Sequence, residues 1–191
     1  MNIKDFTLFS VALGLSDEWR VVDCNFDTES EELIIKLDFN KGSKFSCPEC
    51  ERGNLPVHDT AIKRWRHLNF FEHKAFIEAR VPRSRCPECG VRQVKVPWAR
   101  PGSGFTLLFE LHVLRLAKDM PVSSIARHFV EHDTRLWRVI RHYVDHARSL
   151  LDISSVARVG VDETSSKKGH KYVTVFVDLD TSQVLFATKG K

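Results

Sequence analysis

The tetrapeptide Cys-Pro-Glu-Cys occurs twice in this chain, as Cys47-Pro48-Glu49-Cys50 and Cys86-Pro87-Glu88-Cys89, with 35 residues between the copies. Two residues between cysteines let both thiolates of a tight turn face one tetrahedral ion, and two such turns complete a shell of four. The pairing predicts one structural zinc held by Cys47, Cys50, Cys86 and Cys89, because a closed four-ligand site leaves no position open for catalysis. Gly90 and Gly53 are expected to carry the backbone out of the two turns with positive φ. Disulfides fit poorly with a chain that shows no secretory leader and has an odd fifth cysteine, Cys24. A redox dithiol would need only one pair, at the start of a helix. Cys24 reads as an apolar core residue, since Val22, Cys24 and Phe26 alternate. His58, His67 and His73 read as packing or surface residues rather than further ligands.

The excursion between the cysteine pairs reads as β structure. Ala61–Leu68 and Lys74–Val81 are consistent with two strands joined near residues 69–73, and in the second Ala75, Ile77, Ala79 and Val81 share one face. A hairpin carried between two cysteine turns is a zinc ribbon, here over residues 41–97. Ahead of it, residues 1–40 form a lead-in: a short apolar helix or arm around Phe6 to Leu15, then strands near Trp19–Phe26 and Glu32–Phe39. Leu33, Ile35, Leu37 and Phe39 line one face of the latter, and the acidic segment 27–31 makes the turn. The Pro/Gly-rich stretch from Pro97 to Gly104 reads as a boundary.

Three helices are expected over residues 105–150. Phe105 to Ala117 is apolar on most sides, as for a helix enclosed by others. Val122, Ile125, Ala126 and Phe129 then fall at i, i+3, i+4 and i+7 after Pro121. In the third helix, with Asp133 near its start, Leu136, Val139, Ile140, Tyr143, Ala147 and Leu150 make an apolar stripe opposite Arg135, Arg138, Arg141, His142 and Arg148. A short helix, a tight turn and a longer arginine-faced helix is the layout of a helix-turn-helix, whose second helix enters the major groove of DNA.

Charge supports that assignment. Lys and Arg number 3 in residues 1–40, 20 in 41–150 and 6 in 151–191, against 9, 11 and 5 acids, so the excess positive charge lies in the middle. Eight of nine histidines lie there too. Such a block suits a polyanion, because each neutralised phosphate releases counterions. Candidate DNA contacts are Arg127, Arg135, Arg138, Arg141 and His142 on the helices, and Lys63, Arg64 and Arg66 on the ribbon hairpin. No apolar run reaches the length of a membrane span, and the chain reads as cytosolic.

From Val156 the pattern turns strand-like. Val156–Glu163, His170–Asp178 and Gln183–Ala187 form a meander over residues 156–191, with turns at Ser166–Gly169 and Asp180–Ser182. Three strands with an open edge and an uncovered face do not make a stable domain alone. On spacing, Asp162 is a turn residue or a metal ligand.

The order of these elements resembles the ISL3-type bacterial insertion-sequence transposases. The cysteine turns are similar to that family's zinc finger, and Pro121-Val122-Ser123-Ser124-Ile125-Ala126-Arg127 with Trp137-Arg138-Val139 is similar to its helix-turn-helix. The most specific likeness is Gly160-Val161-Asp162-Glu163, then Gly169-His170-Lys171-Tyr172-Val173-Thr174 and Val177-Asp178-Leu179-Asp180, which resembles the start of its catalytic domain. The resemblance implies an α+β multi-domain protein: a zinc ribbon, a three-helix helix-turn-helix module and the first strands of an RNase H-like domain. It also implies a DDE triad whose acids hold two Mg²⁺ or Mn²⁺ ions for phosphodiester attack. Asp162 matches the first acid. The second aspartate and the glutamate belong to parts of the family pattern beyond Lys191, and neither Asp178 nor Asp180 replaces them. The implied function is the N-terminal portion of a transposase that binds double-stranded DNA at terminal inverted repeats, in the bacterial cytoplasm at the nucleoid, with no membrane partner and with homo-oligomerisation left open. The alternative is a non-enzymatic zinc-containing regulator or transposition inhibitor. One departure stands out: where the family has Gly, an apolar residue and Ser at the helix-turn-helix corner, this chain has Val130, Glu131 and His132, which predicts a distorted turn or a cap from Asp133.

Overall fold

The computed structural model describes residues 6–167 and 171–190. Met1–Asp5 of the lead-in, and Lys168, Gly169 and His170 of the turn and motif expected there, lie outside the described residues. The architecture is mixed α+β and rich in strands, in two compact units, residues 1–140 and 141–191. No described helix is long and apolar enough to cross a membrane.

In the first unit a short helix α1 (Thr7–Ala12) precedes the hairpin β1 (Trp19–Asp27) and β2 (Glu32–Phe39). Its turn is closed by Asp27, whose Oδ1 accepts the amides of Glu29 and Ser30 at 2.9 and 3.2 Å. A second and longer hairpin, β3 (Val57–Phe70) and β4 (His73–Cys86), ends in β5 (Gly90–Gln93). The two hairpins form one sheet of order β1-β2-β4-β3, with β5 on β4 and with β2 and β4 parallel. Thus the lead-in strands continue the ribbon's sheet. The alternation in β2 and β4 sets the core face: Leu33, Ile35, Leu37, Ala75, Ile77, Ala79 and Val81 are all buried, closed over by Trp19, Trp65 and Trp98. Trp98 meets Trp19 and Trp65 edge-on, with centroids 4.7 and 5.7 Å apart.

Three apolar patterns depart from expectation, the first in β1. The alternation of Val22, Cys24 and Phe26 is broken by an irregularity in register between Val21 and Asp23. Val21 therefore faces the core together with Cys24, which is half-buried, while Val22 and Phe26 are exposed. An extra residue in one strand shifts its faces in this way.

The helices are α2 (Leu107–Leu116), α3 (Val122–Phe129) and α4 (Asp133–Ser149). Thr106 caps α2 by accepting the Phe109 amide at 3.3 Å. α2 is not enclosed as its composition suggested. Phe109, Glu110 and Val113 are buried, but Leu107, Leu108 and Leu111 are 40–44% exposed, because only one side of the helix meets other elements. Phe109, Ile125, Leu136 and Val139 are almost fully buried, each contributing about 1.5–3 kcal/mol by leaving water. The apolar stripe of α4 is buried only at Leu136 and Val139; Ile140 and Tyr143 are half-buried, and Ala147 and Leu150 exposed.

Three residues join α3 to α4. Val130 sits in the left-handed region (φ 52°, ψ 50°), and the Glu131 amide donates to the Ala126 carbonyl at 2.9 Å. This is the wrapped C-terminal geometry that glycine usually supplies, and a β-branched residue there costs about 1–2 kcal/mol. The corner is closed nonetheless.

In the second unit β6 (Val159–Lys167), β7 (Lys171–Asp178) and β8 (Val184–Gly190) form an antiparallel meander of order β6-β7-β8. Val161, Phe176 and Phe186 lie across from one another on one face, Asp162 and Val175 on the other.

Candidate metal centre and nucleic-acid interface

Cys47 and Cys50 leave a loop ahead of β3, whereas Cys86 ends β4 and Cys89 precedes β5. The hairpin returns the chain across the intervening residues, and the four sulfurs lie within 4.8 Å of one another, Cys50 and Cys86 at 3.5 Å. Tetrahedral zinc, with bonds of about 2.3 Å, requires sulfurs roughly 3.8 Å apart, so the set fits that ion. Cys47 and Cys86 are buried with Leu55 and Cys89 is half-buried, while Cys50 is exposed. Among the described residues no other cluster of three or more potential metal ligands occurs, and no histidine joins this one.

Electrostatics point the same way. The Cys50 and Glu49 amides aimed at Cys47 lower it to about 7, so it ionises near neutrality. Cys89, beside Cys50 and then pressed by burial and by Cys47 and Cys86, is pushed up to about 12. Thiolates this close oppose one another's ionisation, and a divalent cation among them reverses that opposition.

Positive φ follows each cysteine turn at the residue directly after its second cysteine: Glu51 (φ 60°) and Gly90 (φ 77°). The expected role of Gly53 is thus taken by Glu51, since the turn's geometry is set by distance from Cys50. The two turns are also braced reciprocally. Glu49 of the first accepts Arg92 beyond the second at 2.6 Å, and Glu88 of the second accepts Arg52 beyond the first. Both pairs are exposed, so they orient more than they stabilise. The repeated glutamate was visible in the sequence as a sign of this brace.

The candidate DNA contacts divide. Arg66 is 1% exposed and is excluded from a DNA surface. Its guanidinium lies inside, against the Glu131 carboxylate at 3.5 Å, and it bonds to Asn69 and to the His67, Ala75 and Phe129 carbonyls. Burial pushes its pKa below the usual arginine range, and the nearby Glu131 charge opposes that shift. Arg64 donates to Glu32 at 2.6 Å and covers the Phe76 ring at 3.9 Å. Arg135 pairs with Glu131 and lies over Phe105. Arg127 donates to Ser124 at 3.0 Å and remains exposed. Lys63 and Arg138 are exposed without an acidic partner among the described residues. Arg141 and His142, in the second unit, are exposed, with His142 edge-on to Tyr143.

Asp162 is not a turn residue: it sits inside β6, opposite Val175, with its side chain exposed. Glu163, on the other face, accepts Thr174 Oγ1 at 3.2 Å. Asp178 is buried at the end of β7 and closes the next turn, accepting Asp180 N at 2.9 Å and Thr181 Oγ1 at 2.7 Å. Those bonds hold its carboxyl below the usual range, the Thr181 hydroxyl contributing most. That is a structural use of the carboxylate.

Comparison with known proteins gives a consistent result. The zinc-finger of transposases IS204/IS1001/IS1096/IS1165 matches residues 43–96, the helix-turn-helix domain of transposase family ISL3 matches 94–144, and the ISL3 transposase domain matches 159–191. The chain is 27% identical over 198 aligned positions to the transposase for insertion sequence element IS1557 of Mycobacterium tuberculosis, covering 98% of this chain and 44% of that protein. It is 29% identical over 153 positions to the transposase for IS1001 of Bordetella parapertussis, covering 76% of this chain and 36% of that one. The chain therefore spans less than half the length of these relatives. No solved structure matches.

Proposed function

Because the chain belongs to the ISL3 family of transposases, carrying its zinc-ribbon, helix-turn-helix and leading transposase segments in that order, we propose that it binds the terminal inverted repeats of a transposon as duplex DNA. The observation that carries this reading is the cysteine cluster. It closes a ribbon whose sheet the helices adjoin, through backbone bonds from Arg66 N to the Gly104 carbonyl at 2.9 Å and from Thr106 N to the Arg66 carbonyl at 3.0 Å. Residues 1–40 and 41–97 are a lead-in and a zinc ribbon, residues 105–150 a three-helix module, and residues 156–191 the start of an RNase H-like domain. Cys47, Cys50, Cys86 and Cys89 hold one zinc, which supplies cross-linking rather than chemistry, since four thiolates fill a tetrahedral shell. Arg127, Arg138, Arg141 and His142 meet DNA from the helices and Lys63 from the ribbon, with Arg64 and Arg135 at the margin.

Asp162 is the first acid of a DDE site. Its exposed position in mid-strand suits a metal-facing carboxylate, but phosphoryl transfer with two divalent ions needs further anionic ligands around both. The chain acts in the cytoplasm, where the DNA is. The test is fluorescence anisotropy with a duplex carrying the element's terminal repeat and a shuffled duplex of equal length. Tighter binding to the repeat, lost on zinc chelation, is expected; no affinity for either duplex at any salt concentration overturns the reading.

A further inference from the structure

The Pro/Gly-rich segment between ribbon and helices is built into the fold. Arg100 Nε donates to Glu110 Oε2 at 2.9 Å and Ser103 Oγ to Glu110 Oε1 at 2.6 Å, while the Phe105 amide donates to Ser103 Oγ at 3.0 Å. Glu110 is fully buried, so the loop is pinned from beneath by a carboxylate already occupied. At Gly104 a Cβ would come within 3.3 Å of the Arg135 guanidinium, so the bare backbone permits that arginine's close approach.

On one side of this loop lies a cleft of about 680 Å³, bordered by Glu49, Lys63, Gln93, Lys95 and Arg100. On the other lies a notch of about 80 Å³, bordered by Arg100, Arg135 and Arg138. Both are bordered by Arg100, Gly102, Ser103 and Gly104, so the loop is common to the two hollows. Three of the charges along these hollows are matched: Arg100 by Glu110, Arg135 by Glu131 and Glu49 by Arg92. Lys63, Lys95 and Arg138 remain, all exposed and without an acidic partner among the described residues. Two hollows that share a loop with Gly102, Ser103 and Gly104, each with surplus positive charge beside it, fit a sugar–phosphate strand.

We propose that residues 100–104 floor a phosphate track on which Lys63 of β3, Lys95 of the segment after β5 and Arg138 of α4 grip one backbone of the same DNA duplex. This deepens the DNA-binding reading above and rests on it. The ribbon then positions α4 through the DNA as well as through protein contacts, and the loop is part of the interface.

The experiment is a salt titration of the zinc-loaded full chain on a mixed-sequence duplex of about 30 base pairs, read by anisotropy. Each phosphate contact contributes about 0.9 to the slope of log K against log salt. Lys63→Ala with Lys95→Ala is expected to reduce that slope by about 1.8, and Arg138→Ala by about 0.9, with unchanged melting curves. Lys41→Ala with Lys44→Ala removes the same charge outside the track and leaves the slope as it was. If the Lys63/Lys95 variant keeps the wild-type slope while Arg138→Ala reduces it, or if both double variants reduce it equally, the track is wrong and DNA binding stands. Absence of wild-type binding at the lowest salt overturns both.

Discussion

In residues 1–140, two polar centres are assembled from partners far apart in the chain: four thiols converge within 4.8 Å, and Arg66 is sealed against Glu131. In residues 141–191, Asp162 stands exposed in mid-strand, and Val161, Val184 and Phe186 on the same small sheet are 47–61% exposed. The first unit gathers its site from two turns linked by a hairpin, so a local repeat suffices to assemble it. On the proposed reading an acidic two-metal site draws its ligands from separate parts of the chain, and Asp162 is one of them. The contrast is between a centre assembled by one hairpin and a carboxylate that stands exposed on a small sheet.

Three substitutions probe that contrast. Cys86→Ser is expected to have the largest effect, lowering bound zinc from about one equivalent to near none and abolishing cooperative unfolding of the first unit, since binding of structural zinc is worth about 10–16 kcal/mol. Metal analysis with a thermal melt checks it; undiminished zinc would remove the enclosed centre from the comparison. Glu131→Ala comes second. Stranding Arg66 inside the protein should cost about 3–5 kcal/mol, read by denaturant unfolding, and a loss below about 1 kcal/mol would mean that the pair is screened by water. Asp162→Asn should change least: its melting curve should overlay that of the parent chain, and a clear shift in either direction would reveal a structural partner for this acid.

The sequence made the local features legible. The cysteine spacing, the alternation of Leu33, Ile35, Leu37 and Phe39, and the short α3 all follow from periodicities of a few residues, and each occurs where expected. The parallel pairing of β2 with β4 was hidden, because it joins segments that no turn connects. Arg66 was misplaced for a related reason. Between Lys63, Arg64 and His67 it looks like one more surface cation, and Glu131, which accounts for its burial, is 65 residues away. α2 was overestimated because apolar composition does not say which side finds a neighbour. Asp162 was legible as a motif near the end of an expected strand, but spacing could not show that β6 runs on to Lys167 and so leaves this acid in mid-strand.

The Arg66–Glu131 pair bears on exchange between related chains. A chimera that imports the three helices but keeps a foreign β3 would bury a carboxylate opposite whatever side chain that strand carries at position 66, and one importing only the ribbon would orphan the arginine. Recombination within this lineage is therefore tolerated best at breakpoints that keep residues 66 and 131 in one parent. Where either has drifted, the other should have changed with it, a covariation expected between two positions in different segments of the chain.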